Sequence, residues 1–390
     1  MNRQNLLIGV VFFSTLKVAS ILGNVFLSFL IPVILSSFAL LVGWEKKLIG
    51  RHSLFIIAVA FLILFSLIIS LTIGHFGFAS YLLSSYVMII TYVLIVGMFL
   101  VQSRDILSRP HFWIKTTKIV ILFHTLLLSM QIVAFYFFNT LLDVGALTGG
   151  AETRSIVILS DSLRLFRGGG LFEEPSIYVG FIFPFICLRY INNGNKIDYI
   201  IMLGLGGVIV TLSIVGCVLV ILFFIVVFFR FNIKLLLILT MLLLVAYYYS
   251  SDYLLFRLDK VLNGNDGSSS VKLSMLVDYF NNDVFFKGYG LLRKSDFNGA
   301  YDGLGDTTVY TSLFTIFGFP IGLLLIIPLL YKIITMDYGI RQKVLLSLCF
   351  VKLASPTYMF FWALYLIVCL VGKIINENFN HLNCIWIWWK

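Results

Sequence analysis

The chain has 390 residues, of which 60% are hydrophobic and 12% charged, with a formal net charge of +10 and a mean hydropathy of +1.03. Soluble domains average about 45–50% apolar and about 25% charged residues, so this composition excludes a cytosolic enzyme, a disordered chain and a nucleic-acid binder. It is the composition of a polytopic membrane protein, and the basic excess is read first as a topology signal.

A helix crossing about 30 Å of hydrocarbon needs about 20 apolar residues. In chain order the candidate spans are 5–22, 25–44, 53–73, 81–102, 119–141, 171–190, 199–213, 214–229, 235–249, 309–331, 344–355 and 357–371. Three apolar blocks are expected to be split by tight turns, at Asn24, at Ser213–Gly216 and at Ser355-Pro356. Arg3 followed by Leu6–Leu16, with no small-residue cleavage site after it, predicts an uncleaved first span. With the N-terminus inside, the short inner loops collect most of the lysines and arginines (Lys46, Lys47, Arg104, Arg109, Arg189, Lys332 and Arg341 among them), and most acids fall outside. The expected fold is therefore an all-α polytopic membrane protein, a single membrane domain over residues 1–390. It has about twelve transmembrane helices, both termini cytoplasmic, and two long periplasmic loops at 143–170 and 250–308. Loops of that length are usually functional or disordered. Within the second, Val271–Phe280 places Leu273, Leu276 and Phe280 at helical spacing, as in an interfacial helix.

The five cysteines show no C-x-x-C pair, and neither a disulfide framework nor a metal site is expected. No carboxylate falls in the middle of a predicted span. This counts against an ion-coupled transporter, which keeps acidic groups deep in the bilayer. Charge concentrates instead in Asp161–Ser176, D-S-L-R-L-F-R-G-G-G-L-F-E-E-P-S. Arg164 and Arg167 precede three glycines, and Glu173, Glu174 and Pro175 open a helix. One reading is structural: a glycine turn, an acidic helix cap and two arginines facing lipid headgroups. The other is a site where opposite charges meet a closely approaching backbone. In the second loop Arg257, Lys260, Lys272, Lys287, Arg293 and Lys294 accompany eight aspartates, and Phe285–Leu291 reads F-F-K-G-Y-G-L. His124 in the fifth span reads as an interhelical hydrogen-bond partner. Lys17 and Lys352 read as snorkelling side chains, or alternatively as reaching a shared anion. Ile385–Trp389 reads as an aromatic interfacial anchor.

The run R-L-F-R-G-G-G-L-F-E-E-P-S at the start of a span resembles the outer-face signature of bacterial O-antigen polymerases of the Wzy type, within the O-antigen ligase/polymerase superfamily. The large second outer loop, with D-V-F-F-K-G-Y-G at Asp283–Gly290 and a span beginning near Tyr310, is similar too. The resemblance implies a glycosyltransferase of the bacterial inner membrane. It would move a growing glycan from undecaprenyl diphosphate onto an incoming lipid-linked repeat unit at the periplasmic face, with a chain-length regulator as partner and no cofactor. On that footing Arg164 and Arg167, assisted by Arg257, Lys272 and Arg293, would hold the leaving diphosphate. Tyr289 and Glu173 would contact substrate, and Glu174 would act as general base or as the orienter of Arg167. Two alternatives carry different expectations. A lipid-linked oligosaccharide flippase should show a charged cavity within the membrane. A ligase should carry a histidine in the second long loop, and residues 250–308 have none.

Overall fold

The structure is a computed structural model that describes residues 2–17, 25–42, 50–72, 79–143, 156–160, 163–228, 275–277, 279–280, 284–291, 307–352 and 355–371. The ninth expected span (235–249), Arg257, Lys272, Arg293 and the aromatic tail at 385–389 lie outside these residues.

The chain is predominantly helical. Helix α1 (Arg3–Ser14) is followed by α2 (Val25–Val42), α3 (Arg51–Thr72), α4 (Ala79–Gln102) and α5 (Pro110–Phe138). Then come α6 (Pro175–Asn192), α7 (Tyr199–Val210), α8 (Ile214–Phe228), α9 (Val309–Phe317), α10 (Phe319–Thr335), α11 (Ile340–Cys349) and α12 (Met359–Leu370). Among the described residues five helices are long and apolar enough to cross a membrane: α2, α3, α4, α5 and α6. Four others, α7, α8, α10 and α12, are apolar but only 10–17 residues long. The described helices are thus a mixture of long and short ones.

Local chemistry explains several boundaries. Helix α2 begins with a π-helical turn, Val25–Leu30. Pro32, just downstream, has no N–H to donate to the Ser28 carbonyl, and the wider turn lies directly ahead of it. Helices α7 and α8 are separated at Thr211–Ser213, where Leu212 takes φ +52°. Helix α7 is entered through Asp198, whose carboxylate accepts from the Ile201 amide at 3.0 Å.

The apolar segment expected to run unbroken over 309–331 is interrupted at Gly318, which has φ +78° and ψ +160°, a conformation essentially reserved for glycine. Pro320 follows and supplies no N–H, so the Ile316 carbonyl four residues earlier loses its helical partner. The F-F-K-G-Y-G segment fills the gap: the amides of Tyr289 and Gly290 donate to the carbonyls of Thr315 and Ile316, each at 2.8 Å. The glycine pair of the second loop is therefore a cap on a broken helix, which settles backbone groups that a lipid environment would leave unpaired.

Two helices form the centre of the bundle. Helix α6 is 89% buried, against 22–50% for the other four long helices. Every residue of α12 is buried. A helix apolar on all sides belongs in the interior. Helix α6 packs on α5, α7, α8 and α11, while α12 packs on α4, α10 and α1. The outer helices turn large apolar side chains away from the bundle, including Ile34, Leu41, Phe61, Leu126 and Phe137, as a lipid-facing surface requires.

The first long loop departs from the all-α expectation. Residues Ile156–Ser160 (β1) and Leu163–Phe166 (β2) form an antiparallel hairpin, with Ile156 opposite Phe166 and Ile158 opposite Arg164. The run I-V-I-L is rich in β-branched residues, which suit a pleated strand. The hairpin is docked on α5 by the Phe166 ring, stacked on Phe135 with centroids 4.9 Å apart, and by the Phe166 amide, which donates to the Tyr136 hydroxyl.

Basic side chains of several short connections meet partners at one end of the bundle. There Arg3 reaches Gln102, Arg104 reaches His52, and Gln342 reaches Asn195. Arg189 holds Asp198 with Nη2–Oδ2 2.6 Å and Nε hydrogen bonds of 3.0 and 2.9 Å, and its Nη1 donates to the Ile114 carbonyl.

Candidate functional site

The opposite end of the bundle holds the glycine-rich turn. Beyond β2 the chain runs through Arg167 and Gly168–Gly170 into Leu171–Glu174 and then α6. A Cβ on Gly169 would lie 2.6 Å from the Phe172 carbonyl oxygen, so only glycine lets this backbone fold so closely on itself. The turn is fixed by one amide side chain: Gln131 accepts from the Gly170 N–H and donates to the Gly170 carbonyl, both at 2.8 Å, and its Nε2 also donates to the Leu142 carbonyl at 3.0 Å. Gln131 is itself buried. It satisfies in place a backbone that would otherwise carry unpaired polar groups.

The turn reaches down into the bundle. The Phe172 ring stacks on the imidazole of His124 with centroids 5.4 Å apart. Helix α5 rises about 1.5 Å per residue, so His124, 14 residues from Pro110, stands about 21 Å along a helix about 43 Å long. His124 Nε2 lies 3.1 Å from the Thr15 hydroxyl at the end of α1, the interhelical bond expected of it. Helix α1 is short, about 18 Å, so the residues just past its end also lie at mid-depth.

Lys17 stands there. It is 8% exposed and does not snorkel. Its Nζ makes an ion pair with Glu173 Oε1 at 3.3 Å, donates to the Tyr358 hydroxyl at 3.2 Å, and lies 4.5 Å from the centre of the Tyr358 ring. Tyr358 belongs to the turn that opens α12. Three distant parts of the chain, at residues 17, 173 and 358, thus meet at one point. The Glu173 side chain is 41% exposed, so the pair has a buried cation and an accessible anion. The turn thus brings an acid alongside the stretch of α5 that carries His124.

Glu174 is the N-cap residue of α6, and its carboxylate makes no capping hydrogen bond. Its Oε2 lies 3.5 Å from the Ser176 hydroxyl, and the backbone cap is its own carbonyl, which accepts from Ile177 and Tyr178. Arg167 is half-buried between Phe166 and the glycines. Arg164 sits on β2 opposite Ile158. The structure therefore places Arg167, Glu173 and Glu174 along one short turn, with Arg164 on the strand that feeds it.

Tyr289 lies elsewhere. It is 3% exposed, its hydroxyl donates to the Met275 carbonyl, and it packs in a small cluster with Met275 and Tyr279. Sequence reasoning passed over Gln131 and Tyr358, whose roles come from contacts across 39 and 341 residues of chain. Among the described residues no group of three or more His, Cys, Asp or Glu side chains is placed to hold a metal ion.

No protein-family model, curated protein or solved structure matches this chain.

Proposed function

We propose that the chain is a membrane glycosyltransferase of the O-antigen polymerase type, acting on undecaprenyl-diphosphate-linked oligosaccharides at the outer face of the bacterial inner membrane. One observation carries this reading: a turn bearing Arg167, Glu173 and Glu174 re-enters a helical bundle and pairs with a buried lysine. Cations and carboxylates are thereby held beside lipid-facing helices, in surroundings where electrostatic interactions are strong.

In this reaction the acceptor sugar hydroxyl attacks the anomeric carbon of the growing glycan. The bond from that carbon to the carrier phosphate breaks, and undecaprenyl diphosphate departs with the electron pair. Arg167, with Arg164 on the adjoining strand, stabilises the charge that builds on the leaving oxygen. Glu174, on the same turn, accepts the proton of the acceptor hydroxyl.

The test is a strain lacking the gene and complemented with Arg167→Ala or Glu174→Ala. Each variant should reach the membrane in normal amount yet lose long glycan chains, with turnover down by about 10²–10⁴-fold for a lost base. Normal banding of surface polysaccharide from both variants would remove them from the mechanism. A lipid-linked oligosaccharide translocator is the second reading, favoured by the depth of the Lys17–Glu173 pair. The deletion strain separates the two: core capped by a single repeat unit marks a polymerase, and uncapped core marks a translocator.

A further inference from the structure

We infer that Lys17 is a phosphate-binding residue for the lipid-linked diphosphate, and that Glu173 is its resident counter-ion, displaced when the phosphate arrives. This rests on the reading of the chain as an enzyme of lipid-linked glycans and names a contact within that site.

The argument begins with the cost of placing an ammonium among apolar helices. A buried charge persists only with a partner that repays its desolvation. Lys17 has one in Glu173, but the geometry is that of a loose pair: a single carboxylate oxygen at 3.3 Å from Nζ. Charge-assisted N–H···O bonds run about 2.7–2.9 Å when committed. An ammonium carries three donors. Among the described residues two are engaged, one by Glu173 and one by the Tyr358 hydroxyl, and a third direction is open.

The two partners differ in burial. The Lys17 side chain is 10% exposed and that of Glu173 41%, so the carboxylate has an open side while the cation does not. A structural pair has little need of that asymmetry. A cation awaiting an anion needs its temporary counter-ion on the approach side. Tyr358 keeps the ammonium in place during the exchange, through its hydroxyl and its ring face. The turn that carries Glu173 is anchored separately by Gln131, so releasing the carboxylate does not release the turn. A phosphate oxygen would then replace the carboxylate oxygen. Lys17 would add a point charge to the diphosphate that Arg167 addresses from the same turn.

The experiment measures binding of farnesyl diphosphate and of inorganic diphosphate to the purified full-length chain in lipid nanodiscs. Wild type should bind farnesyl diphosphate at least about tenfold more tightly than inorganic diphosphate, the equivalent of one well-made contact. Lys17→Met should weaken farnesyl diphosphate binding about tenfold or more, and Lys17→Arg should retain it within about threefold. Glu173→Gln should strengthen binding by about two- to fivefold, because the competing anion is gone. A purely structural tether differs at Glu173→Gln, which would then weaken binding as Lys17→Met does. The double variant K17M/E173Q has no unpaired charge to disturb folding, and it should still bind weakly.

Unchanged binding in Lys17→Met, or weaker binding in Glu173→Gln, overturns the inference while leaving the enzymatic reading in place. Equal affinity for inorganic diphosphate overturns the lipid carrier as the source of the phosphate. A wild-type chain that binds no prenyl diphosphate overturns the enzymatic reading together with the inference.

Discussion

Gly288 and Gly318 meet backbone to backbone. A Cβ on Gly288 would collide with the Gly318 amide nitrogen and the Ile316 carbonyl, and a Cβ on Gly318 would collide with the Phe286 carbonyl. Both residues have positive φ, +74° and +78°. This contact lets residues 286–290 lie against the break between α9 and α10 and supply the missing hydrogen-bond donors.

Alanine at either glycine should therefore be severely destabilising. The strained φ alone costs about 1–3 kcal/mol, and the collision adds to it. Thermal unfolding of detergent-solubilised protein should show a clear drop in midpoint for Gly288→Ala and Gly318→Ala. Gly206→Ala, in α7 with nothing within 4 Å of its Cβ, should instead gain about 0.5–1 kcal/mol. An unchanged midpoint in both of the first two variants would contradict the packing described here.

Gln131→Leu should release the glycine turn. It removes the partner of the Gly170 amide and of two carbonyls at a buried site, and each unpaired group costs about 1–3 kcal/mol. Limited proteolysis of intact membranes should show new cleavage in residues 163–174, with long-chain glycan lost in parallel. Gln131→Glu keeps the acceptor and loses both amide donors, so it should fall between wild type and Gln131→Leu.

At the other end of the bundle, Arg189→Met should destabilise by about 3–5 kcal/mol, because it strands Asp198 and leaves the Ile114 carbonyl without its guanidinium donor. The pair also carries a pH signature. Burial, the largest influence on the Asp198 carboxyl, would raise it, but the hydrogen bonds and charge of Arg189 with the Ile200 and Ile201 amides outweigh burial and hold it below the usual carboxylate range. The stabilisation is complete above the ordinary carboxylate value and is lost as pH falls through the depressed folded value. Unfolding midpoints followed across that acidic window should show less pH dependence in Asp198→Asn than in wild type.

Much of this architecture is legible in the residues. Composition and hydropathy identify a helical membrane protein, and Thr211–Ser213 and Ser355-Pro356 divide apolar blocks near the places local turn chemistry indicates. The R-G-G-G-L-F-E-E-P run stands out as a special turn before a helix. Periodicity misplaces the hairpin at 156–166, because a four- or five-residue strand inside a loop carries too few alternations to be seen. It also reads 309–331 as one span, because Gly and Pro are tolerated within membrane helices when a neighbour satisfies the freed backbone. The neighbour that does so, Tyr289–Gly290, is remote in the chain.

Local rules decide what a single segment can do by itself: which stretches are apolar, where a helix starts, where glycine must stand. They cannot assign partners to polar groups, because hydrogen bonds and ion pairs between elements depend on distances set only when the helices pack. Lys17 illustrates the division. Its place in the first apolar segment follows from the amino-acid order, whereas the end of α1 ahead of it, its burial, and its meeting with Glu173 and Tyr358 come from three segments converging on one point in the bundle.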